Sequence, residues 1–169
     1  MKTILIDTDC GIDDAGAIML ALSSPEVRVA AVTTVAGNVG LDHVNRNVLG
    51  LLSYFKKESI PVYAGSYGAL LEKPLRAQDV HGSNGLGDVE LPKTDKKPEK
   101  ANALQGMYET ARANPGMTFV TLGPLTNLAM ALMVYPDLPE YVSEVVVMGG
   151  AIDRGNVTKF AEFNFAADP

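Results

Sequence analysis

Asp7, Asp9, Asp13 and Asp14 stand within eight residues of one another near the start of the chain. Carboxylates this close repel one another, and the arrangement invites a cation. Carboxylates combined with backbone carbonyls are hard oxygen ligands that suit Ca²⁺ or Mg²⁺, and a flexible shell of many oxygens favours Ca²⁺. Two other readings of the same residues stand beside this one. Asp13 and Asp14 would also favour a helix N-terminus through its dipole, with Asp7 and Asp9 merely ending a strand. Paired aspartates at a first strand end also open Mg²⁺-dependent phosphoryl-transfer enzymes, although a helix beginning at Asp13-Asp14 argues against that assignment.

The flanking pattern says which elements must hold these groups. Thr3 to Asp7 reads as a short buried strand, and the Gly11 turn leads into Asp13 to Leu22, apolar on nearly every face and so a buried helix. The unit then repeats: Val27 to Val35 is a β-branched run ending at Ala36-Gly37-Asn38, and Val44, Val48, Leu51, Leu52 and Phe55 follow at helical spacing. Pro61 to Gly65 reads as a third strand, Ala101 to Ala113 as a helix, Met117 to Leu122 as a fourth strand, Leu125 to Met133 as a helix, and Val145 to Met148 as a fifth strand stopped by Gly149-Gly150. Residues 66–98 mix Gly, Pro and charge without sustained periodicity. A loop of that length inside one domain is a candidate active-site lid. The alternation predicts an α/β fold, an open, mainly parallel, doubly wound sheet with helices on both faces. Strands one and four would then lie side by side at the switch point, where ligands bind.

Composition narrows the function classes. A chain of 169 residues that is 47% hydrophobic builds a single domain over 1–169. A net charge of −6 with no basic run argues against a nucleic-acid partner. No apolar stretch approaches the length of a membrane span or a signal segment, so the expectation is a cytoplasmic protein without a membrane partner. The single cysteine, Cys10, fits a reducing compartment, and its acidic neighbours would raise its thiol pKa, so it reads as a packing residue. His43, in a helical pattern, reads as structural, as do the scattered methionines. Gly149-Gly150 lacks the basic residue and helix start of a phosphate cradle and reads as a close backbone turn.

Asp7-Thr8-Asp9-Cys10-Gly11-Ile12-Asp13-Asp14-Ala15 resembles the aspartate-rich signature of the inosine-uridine nucleoside hydrolase family. Thr33 to Asn38, Leu122 to Asn127, Val147 to Gly150 and Ala161 to Asn164 each match a further motif of that family, in its order and at its spacing. The resemblance covers essentially the whole chain. It implies calcium-dependent hydrolysis of the N-glycosidic bond of purine or pyrimidine ribonucleosides, with attack of water at the anomeric carbon through an oxocarbenium-like transition state. By matching position it implies Asp9 and Asp14 as side-chain Ca²⁺ ligands and the carbonyl of Leu122 as a main-chain one. Leu122 stands where many relatives have threonine, a change that a carbonyl ligand tolerates. Asp9 also matches the general base that takes a proton from the attacking water. Asp13, Asn38, Asn156, Glu162 and Asn164 match residues that grip the ribose hydroxyls. His81 matches a loop position beside the pocket, where it would contact substrate or shape the lid.

The chain ends at Ala167-Asp168-Pro169, where members of that family enter another helix and continue. The resemblance places a further aspartate ligand and a histidine near the leaving base in that later part. The expectation is therefore a fold incomplete at its C-terminal side, completed by a homo-oligomer (a dimer or tetramer) or by a complementing C-terminal chain. The alternative is a ribose-binding or assembly module that turns over nothing, or an inactive fragment that lacks the C-terminal catalytic segment.

Overall fold

The computed structural model describes residues 1–71 and 75–169. Strands and helices alternate along them as β1 (Lys2–Thr8), α1 (Ile12–Ser23), β2 (Val27–Thr34), α2 (Leu41–Tyr54), β3 (Val62–Ala64), α3 (Gln78–His81), α4 (Ala103–Ala113), β4 (Met117–Thr121), α5 (Thr126–Val134), β5 (Val142–Val147) and α6 (Phe163–Ala167). The five strands form one sheet in the order β3-β2-β1-β4-β5, and every pairing is parallel. The chain builds outward from β1 to β3, then crosses back to lay β4 on the other side of β1. That reversal is the switch point expected from the alternation.

The period of two along β1 decides which helices cover which face. Ile4 and Ile6 point into one layer with Ala15 and Ile18 of α1 and Val44, Val48, Leu51 and Leu52 of α2. Leu5 points into the other, with Met107 and Ala111 of α4, Phe119 of β4 and Ala131 of α5. A register shift between Ile4 and Leu5, whose partners on β2 are Val29 and Ala31, leaves Ala30 as an extra residue and keeps Val29 and Val32 on the first face. Burying a Leu, Ile or Phe side chain fully is worth roughly 1.5–3 kcal/mol, so these two layers dominate the stability.

Three expectations change. The first helix is not buried all round: only Asp14, Ala15 and Ile18 are, while Leu20 is 73% exposed, because among the described residues nothing packs over the outer side of α1. The fifth strand starts at Val142 rather than Val145. Ser143 and Glu144 break its apolar run, yet pairing with Met117 and Thr118 carries it back to Val142. The candidate lid at 66–98 holds the short helix α3, too brief to leave a period in the sequence, and residues 72–74 of it lie outside the described residues.

Candidate active site

Four of the five strands deliver a chemistry-bearing residue from their carboxyl ends. Asp9 follows β1, Asn38 follows β2, Leu122 follows β4, and Met148 follows β5. They meet around a cavity of about 310 Å³ lined by Asp9, Asp13, Asp14, Asn38, His81, Leu122, Asn156, Glu162 and Asn164. All nine residues singled out by the motifs thus share one cavity. Arg76, Asp79 and Val157 line it too and escaped the sequence reading, since Arg76 and Val157 sit in loops and Asp79 in a helix too short to leave a pattern.

Asp9 is the most constrained of the set. It is 1% exposed, and its Oδ2 accepts the Asn38 backbone N–H at 2.7 Å. Its Oδ1 is buried without a hydrogen-bond partner among the described residues. Burial, then the neighbouring Asp14 charge, pushes the Asp9 carboxyl well above its ordinary range. Gly37 makes this approach of turn and carboxylate achievable, because a Cβ there would overlap the Asp9 side chain. Gly37→Ala is expected to push the carboxylate out of place and weaken binding of a divalent cation by about tenfold or more, read by calcium titration calorimetry. Unchanged affinity would show that the turn accommodates the methyl group.

Asp14 serves the helix and the cavity together. Its Oδ2 accepts the Gly11 N–H at 3.0 Å as the side-chain half of a capping box, and its Oδ1 accepts the Thr8 hydroxyl at 2.7 Å. Burial raises its carboxyl, with Asp13 adding to the shift and the Thr8 bond opposing it. Asp7, by contrast, does not line the cavity. It lies wholly buried behind Asp9, its Oδ1 accepting from Thr33 Oγ1 at 2.6 Å and Asn127 Nδ2 at 2.8 Å, its Oδ2 without a partner among the described residues, and burial pushes it up to about 6. Cys10 is fully buried and its thiol raised by burial and the three acids beside it, in keeping with a packing role.

Glu162, which also lines the cavity, caps the five-residue α6. Its carboxylate accepts from the backbone N–H groups of Asn164, Phe165 and Gly150. The Gly149-Gly150 turn therefore spends an amide on a carboxylate, in line with its reading as a close turn. Asn164 Nδ2 donates to the carbonyls of Leu122 at 2.7 Å and Met148 at 3.1 Å, so its amide group ties β4 to β5 and only Oδ1 is left to accept from a ligand.

The lid is laced to the site by three bonds. Arg76 Nη1 donates to the Gly37 carbonyl, the Ala77 N–H to the Asn38 carbonyl, and the Ile12 N–H to His81 Nδ1 at 3.1 Å. An imidazole whose Nδ1 accepts carries its proton on Nε2. That leaves the 3.9 Å approach of Asp13 to Nδ1 as neither a hydrogen bond nor an ion pair. His81 fastens the lid to the first turn of α1 while lining the cavity, and its Nε2–H is the donor it can offer.

A hard cation fits part of this arrangement. Asp9, Asp14 and Leu122 line one cavity, and the orphaned Asp9 Oδ1 is an acceptor in search of a partner. The set is not complete by itself: among the described residues no three acidic, histidine or cysteine side chains converge as a metal site.

Comparison with known proteins agrees on the lineage. The family model described as inosine-uridine preferring nucleoside hydrolase matches residues 4–169. The pyrimidine-specific ribonucleoside hydrolase RihA of Salmonella arizonae is 42% identical over 98% of this chain and 54% of its own length. The non-specific ribonucleoside hydrolase RihC of Escherichia coli is 42% identical over 98% of this chain and 55% of its own. Among solved structures, the plant nucleoside hydrolase PpNRh1 superposes with a TM-score of 0.94 at 41% identity, across 99% of this chain and 54% of that one. The chain thus spans about half the length of the relatives it matches. Because the matched family model runs through every strand of the sheet and every segment that lines the cavity, the chain belongs to the inosine-uridine preferring nucleoside hydrolase family.

Proposed function

We propose that this chain supplies the cation- and ribose-binding half of a calcium-dependent ribonucleoside hydrolase, which cleaves the N-glycosidic bond of purine or pyrimidine ribonucleosides to ribose and free base. The observation that carries the reading is that Asp9, whose Oδ1 has no partner among the described residues, lines the same cavity as Glu162 and Asn164. Asp9, Asp14 and the Leu122 carbonyl would hold Ca²⁺, which when bound supplies Lewis acidity to the attacking water. Asp9, raised by burial, is suited to take the proton of that water. Asp13, Asn38, Asn156, Glu162 and Asn164 would orient the sugar through its hydroxyls, and their acidic members would favour positive charge developing on the ring. His81 Nε2–H would donate to the substrate from the lid, and the segment 66–98 would exclude water once closed.

The relatives differ in base preference by name, so the base is left open between purine and pyrimidine. Cytoplasmic residence belongs to the same reading, supported by a single, buried cysteine. So does a polypeptide partner, either a second copy in a dimer or tetramer or a complementing chain, and neither nucleic acid nor membrane. β5 supports the partner: Val145, Val146 and Val147 are each about two-fifths exposed, on both faces of a strand that, among the described residues, pairs on one side only. A valine run exposed on both faces has the composition of an interior strand. A non-catalytic ribose-binding or assembly module is the second reading, favoured by the incomplete cation ligand set.

Ribose release from inosine and uridine, measured with and without chelator on protein of verified mass, separates the two. Chelator-sensitive release supports the hydrolase, whereas ribose binding without release supports the module. Asn164→Ala should erode the discrimination between ribosides and deoxyribosides by about tenfold, since a buried acceptor for a hydroxyl is lost. Equal discrimination in the variant would remove Asn164 from the ribose wall.

A further inference from the structure

Thr8 lies between Asp7 and Asp9 at the end of β1. It is fully buried, and its one hydroxyl has two tasks. Oγ1 donates to Asp14 Oδ1 at 2.7 Å and accepts the Cys10 N–H at 2.9 Å. The turn it spans is strained, because Cys10 has a φ of 42°, a left-handed conformation rare for a residue with a side chain. Asp14 is itself fixed on its far oxygen by the Gly11 N–H. The carboxylate is therefore held from both sides before any ligand arrives, once by the backbone of the turn and once by the hydroxyl that stabilises that turn.

We infer that Thr8 is a positioning residue: its hydroxyl locks the left-handed Cys10 turn and the Asp14 carboxylate into one geometry, so that Asp14 faces the cation site already oriented. The inference rests on the proposed role of Asp14 in holding Ca²⁺. Groups that hydrogen-bond a ligating carboxylate set its direction, and their loss weakens metal binding about 10–100-fold. Thr8→Val keeps the shape of the side chain and deletes the hydroxyl, while Thr8→Ser keeps the hydroxyl and deletes the methyl group.

The test has two arms on the chain as it stands. Titration calorimetry with Ca²⁺ alone is expected to show an affinity about 10–100-fold weaker in Thr8→Val and close to wild type in Thr8→Ser. Amide hydrogen exchange on the metal-free protein reads the geometry without any cation. The Cys10 amide reports the turn and the Gly11 amide reports the Asp14 carboxylate, and both are expected to exchange faster in Thr8→Val only. Calcium affinity in Thr8→Val within twofold of wild type would overturn the inference. So would a Gly11 amide that stays protected while Cys10 loosens, since Thr8 would then hold the turn and not Asp14. Were wild type to bind no Ca²⁺, the cation reading would fall by itself, and the Gly11 amide would still decide whether Thr8 orients Asp14.

Discussion

Asp9→Asn is expected to cut ribose release by about a thousandfold or more in any assembly of this chain that releases ribose, and at the same time to make the metal-free chain harder to unfold. The first effect follows from two losses at once. An amide cannot take a proton from the attacking water, and general-base catalysis alone contributes about 10²–10⁴-fold. A buried anionic oxygen, Oδ1, also disappears from the cation site. The second effect has the opposite sign because Asp9 is destabilised where it stands, buried and beside Asp14. Asparagine retains an oxygen to accept the Asn38 N–H and removes the charge, a gain of about 1–2 kcal/mol. Reducing-sugar assays and thermal melts check the pair. Wild-type turnover would remove Asp9 from the chemistry, and a lower melting temperature in chelator would show that its charge is stabilised by something the folded chain provides.

A metal-free chain that melts higher at pH 4 than at pH 7, with calcium narrowing the difference, is the second large effect. Asp7 sits at about 6 against an ordinary 3.8. Between those values the folded chain keeps a proton that the unfolded chain has lost, so stability declines as pH rises through that window. A shift of about two units is worth roughly 3 kcal/mol, which for a chain of this size is roughly 6–12 °C in Tm. Asp9 and Asp14 are raised too and act in the same direction. Asp88 and Glu144 are shifted downward, which favours higher pH, but both are fully exposed and oppose the trend only weakly. Calcium selects the ionised form of Asp9 and Asp14, and at a hundredfold excess over Kd it adds about 2.7 kcal/mol. A melting temperature that climbs from pH 4 to 7 in chelator would contradict the assignment of these three carboxyls as buried and, among the described residues, without a cationic partner.

Glu162 and Asn164 show how much of the site could be read from residue order. Their motif put them at the pocket, and the structure sets them there, but as an N-cap and a brace between strand ends whose polar atoms are mostly committed to the backbone. Thr8 and Arg76 left no trace in the pattern. The first looks like one more strand residue, and the second lies in a stretch without period, so neither could be found before the turns were folded against each other.

The sequence by itself determined the strand–helix alternation, the parallel doubly wound class, and the clustering of acidic and amide groups at strand ends. Those features rest on periodicity and on motif order, which are local along the chain. Only the tertiary structure decided that Asp7 turns away from the cavity while Asp9 enters it, that His81 Nδ1 binds the first turn of α1, and that both faces of β5 stand open. Alternation along β1 would put Asp7 and a residue two places on at the same face, but Asp9 lies past the end of the strand, and Asp7 is held by partners as distant in the chain as Asn127. Contacts at that separation are made by packing, and no local pattern carries them.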